Sequence, residues 1–300
     1  MSKIIVIGSS NTDLAIKTER IPEPGETVLG GTFMMTAGGK GANQAVAVAR
    51  LGGDVIFVTK VGDDMFGDES RERYVKEGLP AEFLLVEKGT PSGVALITVD
   101  AGGENCIVVA PGANNALTCA DIDAVSDRIA EADYLLLQLE VPMEVVEHAA
   151  EVAVAHGTRV ILNPAPAAEL SDRLVGSLYL ITPNRTECQL LSGVAIADEA
   201  GAAAAAAKLM ERGVQNVIVT LGSRGSLVCT SDGCTTVEAC RVESVDTTAA
   251  GDVFNGALCV ALSEGKDLVE AARFASRASA ISVTRMGAQS SIPRRSELDD

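Results

Sequence analysis

The sequence of 300 residues contains no tryptophan, only two histidines and 3% aromatic residues in all. A core must therefore be aliphatic, and the 47% of apolar residues is enough to build a large one. Basic residues are also scarce, because 24 Lys and Arg face 41 Asp and Glu, for a net charge of −17. This balance argues against nucleic acid or an anionic membrane as a partner, since both require basic surfaces.

Several common sequence signals are missing as well. No apolar run reaches the ~18 residues of a membrane span, and the first residues, MSKIIVIGSS, turn polar too early for a signal peptide. The seven cysteines form no CxxC pair, so we expect reduced thiols rather than a zinc site, in a cytoplasmic protein. The lack of GxGxxG argues against a nicotinamide dehydrogenase, and the lack of GxxxxGK[ST] argues against a Walker-type loop.

The order of apolar and polar segments predicts an α/β fold. Buried strands alternate with helices, which predicts a mostly parallel central sheet with helices on both faces. We assign residues 1–11, 37–80 and 110–300 to this main domain. Residues 12–36 and 81–109 contain short segments between Gly, Pro and Asp turns, and they predict a second, smaller sheet, with an antiparallel patch in 81–109.

Polar residues follow six of the predicted strands, at the carboxyl ends where open α/β sheets bind their ligands. These residues are Asn11, Asp13, Glu140, Asn163, Asn184, Glu187, Gly222, Ser223, Gly225, Asp246, Thr248 and Asp252. We expect them to meet at one rim of the sheet.

The strongest local signal is the segment DTTAAGDVFNG (246–256). Its small residues Ala249, Ala250 and Gly251 permit close approach to the backbone, and the helix that begins there offers free N–H groups and the positive end of its dipole to an anion. Asp252 in the first turn could simply cap the helix. The alternative is a catalytic carboxylate beside an anion site, the arrangement that phosphoryl transfer requires.

The segment GGKGANQA (38–45) is a second candidate site, because its glycines would let a polyol approach the backbone. Asn43 offers both a donor and an acceptor to hydroxyl groups. Lys40 could equally be a solvated side chain at the start of a helix.

The segment Asn184-Arg-Thr-Glu187 is a third candidate. Asn184 could face a phosphate, and Glu187 could orient water on Mg²⁺, which binds few protein ligands and keeps several waters. The same two residues could also form no more than a capping box.

The segments at 38–45 and 246–257 resemble the two signatures of the ribokinase-like, phosphofructokinase-B-type carbohydrate kinase family. IGSSNTDL (7–14), TPNRTE (182–187) and TLGSRG (220–225) fit too, so the resemblance spans nearly the whole chain. It implies phosphate transfer from ATP to O5 of D-ribose. Deoxyribose, another pentose or a ketohexose stay open as substrates within the family, and a sugar-binding regulatory protein without turnover stays open as a different class.

The resemblance also implies roles for individual residues. Asp252 would be the general base, beside an anion hole formed by the backbone of residues 248–251. The sugar would contact Asn11, Asp13, Gly39, Lys40, Gly41, Asn43, Glu140 and Asp252. ATP would contact Asn184, Thr220, Gly222, Ser223, Gly225, Gly251 and Ser276, the last standing where the family would place Asn.

The resemblance further implies two metal ions and a partner subunit. Glu187 would hold Mg²⁺ through water. A K⁺ ion would be held mostly by carbonyl oxygens, at Asp246, Thr248, Ser282, Arg285, Gly287 and Ser291. The small sheet would form a lid over the sugar and the interface of a homodimer.

Overall fold

The structure, a computed structural model, describes residues 3–298. Its strands are β1 (Lys3–Ile7), β2 (Asn11–Lys17), β3 (Thr32–Gly38), β4 (Asp54–Gly62), β5 (Leu84–Glu87), β6 (Gly93–Val99), β7 (Asn105–Ala110), β8 (Tyr134–Leu137), β9 (Arg159–Leu162), β10 (Leu180–Ile181), β11 (Asn216–Thr220), β12 (Ser226–Thr230) and β13 (Gly233–Val237). Its α-helices are α1 (Lys40–Arg50), α2 (Met65–Lys76), α3 (Cys119–Asp123), α4 (Ser126–Ala130), α5 (Met143–His156), α6 (Asp172–Ser177), α7 (Arg185–Ser192), α8 (Glu199–Glu211), α9 (Ala250–Ser263) and α10 (Leu268–Ser282).

A nine-stranded sheet forms the centre of the molecule, in the order β13-β12-β11-β10-β9-β8-β1-β4-β5. Neighbouring strands are parallel from β5 across to β11, and only the hairpin of β12 and β13 adds antiparallel pairs. Apolar clusters cover both faces: α1, α2, α9 and α10 pack on one face, and α3 to α8 on the other. The predicted fold class is therefore confirmed.

The second sheet has four strands in the order β3-β2-β6-β7. Two of its three pairs are antiparallel, whereas β2 and β6 run parallel. The chain leaves β2 by way of β3 and passes through the main domain before it returns in β6, and such a long crossover is what a parallel pair requires.

The strand β5 corrects the predicted extent of the small sheet, which included all of residues 81–109. Leu84–Glu87 pairs in parallel with β4 and forms the edge of the large sheet instead. With only four residues, this strand is too short for its pattern to reveal the sheet to which it belongs.

The chain between the small sheet and β8 forms two short helices, α3 and α4, which are separated at Ala124 and Val125. A capping box formed by Thr118 and Asp121 begins α3.

The expectation of reduced cysteines is wrong for one pair. Cys229 and Cys234 are directly opposite in the β12–β13 hairpin and form a disulfide. Strand register, which spacing alone does not reveal, brings them together. The other five cysteines are free. Among residues 3–298, we find no helix with both the length and the apolar character that crossing a membrane requires.

Glycines let α1 approach both β1 and α9. A Cβ atom on Gly41 would lie 2.6 Å from Ser9 N, and one on Gly256 would lie 2.6 Å from the Cβ atom of Ala47. Cβ atoms do not approach this closely, so each position requires glycine. The two close approaches place the start of α1 beside the start of α9, at the rim of the large sheet.

We predict that Gly256→Ala lowers the free energy of unfolding by about 1–3 kcal/mol, because the added methyl group overpacks the contact between α1 and α9. Urea denaturation followed by circular dichroism measures this change. The matched control is Gly176→Ala in α6, where the nearest atom lies 3.9 Å from the added Cβ. That control should be neutral or stabilising by up to about 1 kcal/mol. Equal losses in both variants would contradict the close packing of α1 on α9.

Candidate active site

Asp252 does not cap α9, contrary to the simpler of its two interpretations. The N-cap of α9 is Ala249, and no side-chain hydrogen bond caps this helix. Asp252 instead points into the protein, where its carboxylate accepts hydrogen bonds from Asn43 Nδ2 (2.9 Å) and Gln44 Nε2 (3.0 Å). It is 6% exposed. A buried carboxylate held from a neighbouring helix is a candidate catalytic group rather than a helix cap.

The start of α9 has the backbone shape expected of an anion site. Ala249 has φ 60° and is, among residues 3–298, the one non-glycine residue in the left-handed region. Backbone strain of this kind clusters at functional sites. Gly251 is exposed, and a Cβ atom there would meet no atom within 4 Å. Of the N–H groups in the first turn, that of Ala250 donates to the carbonyl of Thr247 (3.2 Å). Those of Gly251 and Asp252 have no carbonyl partner within the helix and are the candidate anion donors.

Burial raises the pKa of Asp252, and the positive charge of Lys40 and the amides of Asn43 and Gln44 oppose the rise. The pKa nevertheless stays above its ordinary value. A carboxylate with a raised pKa accepts a proton more readily than a solvated one, which is the property that a general base needs.

Lys40 is the positive centre of an otherwise acidic pocket. The carboxylates that act on it are those of Asp252, Glu140, Glu187 and Asp13. Burial lowers the pKa of Lys40, but these negative charges outweigh burial and hold the pKa above its ordinary value. Lys40 is therefore not the solvated side chain of the simpler interpretation.

Asp13, in β2, belongs to the same pocket. Burial, followed by the charges of Glu140 and Asp252, raises the pKa of Asp13 to about 6, against the opposing charge of Lys40. Glu140 accepts hydrogen bonds from Ser9 Oγ (2.6 Å) and from the backbone N–H of Lys40 (3.0 Å). The structure thus brings together acids from β2, from the end of β8 and from α9.

Glycine and amide groups complete the wall of this pocket. Gly39 has φ 89°, and a Cβ atom there would lie 2.7 Å from the backbone nitrogen of Asn11. The Oδ1 atom of Asn11 accepts a hydrogen bond from Asn114 Nδ2 (2.7 Å). Within the described chain, Asn43 Oδ1 is buried and accepts no hydrogen bond. Because a buried acceptor without a partner is costly, Asn43 is suited to receive a ligand hydroxyl.

A cavity of about 470 Å³ lies between the start of α7 and the loop after β11. Its lining includes Asn184, Thr220, Gly222 and Ser223, together with Arg185, Thr186, Ala197, Leu221 and Arg224. The first four were predicted to contact a nucleotide. Of the other five, Leu221 and Arg224 belong to the loop 220–225 predicted to contact ATP, and Arg185 and Thr186 lie in the segment 182–187. Ala197 lies in neither segment.

Three of the residues predicted to contact a nucleotide, Gly225, Gly251 and Ser276, do not line this cavity. Gly225 is buried, and a Cβ atom at this position would collide with the carbonyl oxygen of Val237. Ser276 is half-buried in α10. Their contact with a nucleotide stays a prediction.

Asn184 and Glu187 do form the capping box that was one of their two interpretations. The two interpretations are compatible, because Asn184 also lines the cavity. Burial raises the pKa of Glu187, and the charge of Asp252 adds to the rise. Glu187 is therefore close enough to Lys40 and Asp252 to interact with their charges.

Asp246 forms hydrogen bonds with both loops predicted to bind a cation, one around Thr248 and the other around Gly287. Its Oδ1 atom accepts from the backbone N–H and the hydroxyl of Thr248 (2.9 and 2.6 Å), and its Oδ2 atom accepts from the N–H of Gly287 (2.8 Å). These hydrogen bonds outweigh burial and hold the pKa of Asp246 below its ordinary value. The guanidinium group of Arg285 pairs with Glu297. Because this group has no acceptor atom, Arg285 can offer a cation only its carbonyl oxygen.

Sequence reasoning assigned no role to a set of buried amides beneath Asp252. Asn163 was predicted only to lie at the rim of the sheet, Gln44 was only part of a motif, and Gln138 was not singled out. Asn255 is also buried; it donates to the carbonyl of Gly251 (2.8 Å) and accepts from Thr182 (2.6 Å). The available signal was the presence of polar side chains in otherwise apolar strands and helices.

Comparisons with known proteins agree with this geometry. The model of the pfkB family of carbohydrate kinases matches residues 1–295. A ribokinase of Haemophilus influenzae is 43% identical over 294 residues, which cover 98% of this chain and 96% of the relative. A deoxyribokinase of Salmonella typhi is 39% identical over 298 residues, which cover 99% and 97%.

Comparison with a solved structure also supports membership of this family. Arabidopsis thaliana ribokinase, complexed with ribose and ATP, is 32% identical and superposes with a TM-score of 0.93, covering 99% of this chain and 97% of the other. The position of Asp252, which is held by the amides of Asn43 and Gln44, is consistent with this likeness. The chain belongs to the pfkB family of carbohydrate kinases.

Proposed function

We propose that this protein transfers the γ-phosphate of ATP to O5 of D-ribose, giving ribose 5-phosphate and ADP. The observation that carries the proposal is the position of Asp252: it is buried between two amide donors, next to the N-terminus of α9 and to a pocket lined with Asp13, Lys40 and Glu140. Support for ribose comes from relatives named ribokinase that align over nearly their full length.

The pocket offers the groups that a polyhydroxylated sugar requires. Carboxylates accept hydrogen bonds, lysine donates them, and side-chain amides do both. We assign the sugar contacts to Asn11, Asp13, Gly39, Lys40, Gly41, Asn43 and Glu140. The buried, unpaired oxygen of Asn43 supports this assignment most directly.

Asp252 removes the proton from O5 as this oxygen attacks the γ-phosphorus, and the bond to the β-phosphate oxygen of ATP breaks. The N–H groups at the start of α9, in the backbone of residues 248–251, stabilise the charge on the transferred phosphoryl group. In-line transfer depends mainly on such positioning and charge stabilisation.

ATP binds in the cavity at α7, with contacts from Asn184, Thr220, Gly222, Ser223, Gly225, Gly251 and Ser276. A highly acidic protein needs local positive groups to hold a polyphosphate, and Lys40 and the α9 N-terminus provide them. We assign Glu187 to hold Mg²⁺ through water; the ion would neutralise phosphate charge when bound.

A K⁺ ion fits the two loops joined by Asp246. Oxygen atoms are available there from Asp246, Thr248, Ser282, Arg285, Gly287 and Ser291, and Ser282 and Ser291 are fully buried. The fit rests on the hydrogen bonds that Asp246 makes to both loops. The Asp246 loop leads directly into α9, so a cation there would order the anion site.

The small sheet is proposed to close over the sugar as a lid and to form a homodimer interface. All six residues of β7 are exposed, including Ile107, Val108 and Val109. An apolar strand of this kind in a soluble protein usually has a partner. We place the enzyme in the cytoplasm, where ATP is available.

A panel of sugars tests the proposed substrate. The kcat/KM for ribose should exceed that for 2-deoxyribose, arabinose and fructose, by roughly 100-fold or more for 2-deoxyribose, because buried polar groups built for a hydroxyl reject an analogue that lacks it. ADP release with Mg²⁺ and K⁺ present measures the rates. If another sugar had the highest kcat/KM, that sugar would replace ribose as the proposed substrate. Release of no ADP with any sugar would indicate a binding protein without turnover.

Replacing the base separates catalysis from binding. Asp252→Asn should lower kcat by about 10²–10⁴, the usual contribution of a general base, while ribose still binds. Steady-state kinetics and calorimetric titration of ribose measure the two effects. A fall in kcat of less than tenfold would show that positioning alone accounts for the rate.

The cation site predicts a dependence on the monovalent salt. Activity should be higher in K⁺ than in Na⁺ at equal ionic strength, because the loops around Asp246 are assigned to K⁺. Initial rates in the two chlorides measure the difference. Equal rates would remove the assignment of the cation site while leaving the role of Asp252 intact.

A further inference from the structure

Three buried amide side chains form a connected network beneath Asp252. Gln44 and Gln138 are fully buried, and Asn163 is 7% exposed. Gln138 Nε2 donates to Gln44 Oε1 (2.5 Å), and Gln44 Nε2 donates both to Asp252 Oδ1 (3.0 Å) and to Asn163 Oδ1 (3.1 Å). The network joins α1, the end of β8 and the end of β9 to α9.

The direction of these hydrogen bonds is fixed by chemistry. An ionised carboxylate only accepts, so the Gln44 group that faces Asp252 must be its NH₂. The Gln44 carbonyl then faces Gln138, whose NH₂ must donate. Each hydrogen-bonding atom of Gln44 has a partner, so rotation of its amide would break every one of these bonds.

Close packing around Gln138 leaves room for its amide because residue 8 is glycine. A Cβ atom on Gly8, at the end of β1, would collide with Gln138 Oε1. The absence of a side chain at residue 8 therefore makes room for the amide of Gln138. The hydrogen bonds to Gln138, Asn163 and Asp252 together set the orientation of the Gln44 amide.

We infer that Gln44, held by Gln138 and Asn163, is a positioning residue that fixes the carboxylate of Asp252 for proton transfer. Gln44 holds Oδ1, whereas Oδ2 is the atom that contacts Asn43 in the proposed sugar pocket. This inference rests on the proposed role of Asp252 as the base and adds the group that sets its orientation.

The hydrogen bond from Gln44 also stabilises the ionised form of a carboxylate that lies among charged neighbours. The groups that act on Asp252 are Lys40 at the start of α1, Glu140 after β8, Asp13 in β2 and Glu187 in α7. Three of these four are acids, which favour the protonated form of Asp252. The amide of Gln44 is a neutral donor, so it favours the ionised form of Asp252 without adding a charge to the site.

The test replaces Gln44 with methionine, which has a similar length and no hydrogen-bonding amide. Gln44→Met should lower kcat by about 10- to 100-fold, the effect of one hydrogen bond to a charged group, with KM for ribose changed less than about threefold. The acidic limb of the kcat profile should move to higher pH by about one unit, because loss of the donor raises the pKa of Asp252. A purely structural role would not move this limb.

Two further variants make the test independent of folding defects. Gln138→Met removes the donor that orients Gln44 and should lower kcat by a smaller factor, about 3- to 10-fold. The matched control is Thr158→Val, since Thr158 is also a buried donor but lies before β9, at the opposite end of that strand. Thr158→Val should lower the melting temperature and leave kcat unchanged.

Combination with Asp252→Asn distinguishes this inference from the proposed function. Once the base is absent, Gln44→Met should lower kcat by no more than a further twofold, because the two residues act as one unit. A large effect of Asp252→Asn with no effect of Gln44→Met or Gln138→Met on kcat would overturn the inference alone. A small effect of Asp252→Asn would overturn the role of the base. The inference would also be contradicted if kcat of the double variant fell by the product of the two single-variant factors.

Discussion

The hydrogen bonds from Asn43 and Gln44 to Asp252 are the interaction on which the whole site depends. They join residues 209 and 208 positions apart in the chain, and they do so inside the protein. A carboxylate in this position is tolerated only because it has donors, since an unpaired buried charge is strongly destabilising. The fold must therefore keep the starts of α1 and α9 side by side.

Glycine is what permits this arrangement. Gly41 lets α1 approach the end of β1, and Gly256 lets α9 approach α1. Gly8 makes room for the amide of Gln138. Gly8 and Gly256 contact no ligand in the proposed mechanism, and Gly41 is assigned one sugar contact. Each of the three nevertheless determines how closely two segments of the chain approach. The site is consequently a property of helix and strand packing as much as of its polar side chains.

The protein is acidic, whereas the proposed substrate ATP is an anion, so binding depends on positive groups at the site itself. Lys40 lies among four carboxylates, and its pKa is raised by them, so it stays charged. The α9 N-terminus adds positive potential through its backbone, without a side chain that the acids could neutralise. Binding of a polyphosphate then requires only that these two groups and a metal ion face the same space.

The sequence predicted the sheet, its helices and the residues at its rim, because apolar runs and strand ends follow from local pattern. It also predicted that Asp252 and Asn43 belong to one site. It did not reveal the buried roles of Gln44 and Gln138, nor the pairing of Cys229 with Cys234, since these depend on the register and packing of distant segments. For the same reason, the short strand β5 was assigned to the wrong sheet.

The most direct measurement is a crystal structure of the protein with ribose and a non-hydrolysable ATP analogue. The account predicts that O5 of the sugar lies within about 2.6–3.2 Å of an Asp252 carboxylate oxygen, in line with the terminal phosphate. Ribose bound away from Asp252, or with a different hydroxyl beside that carboxylate, would contradict it.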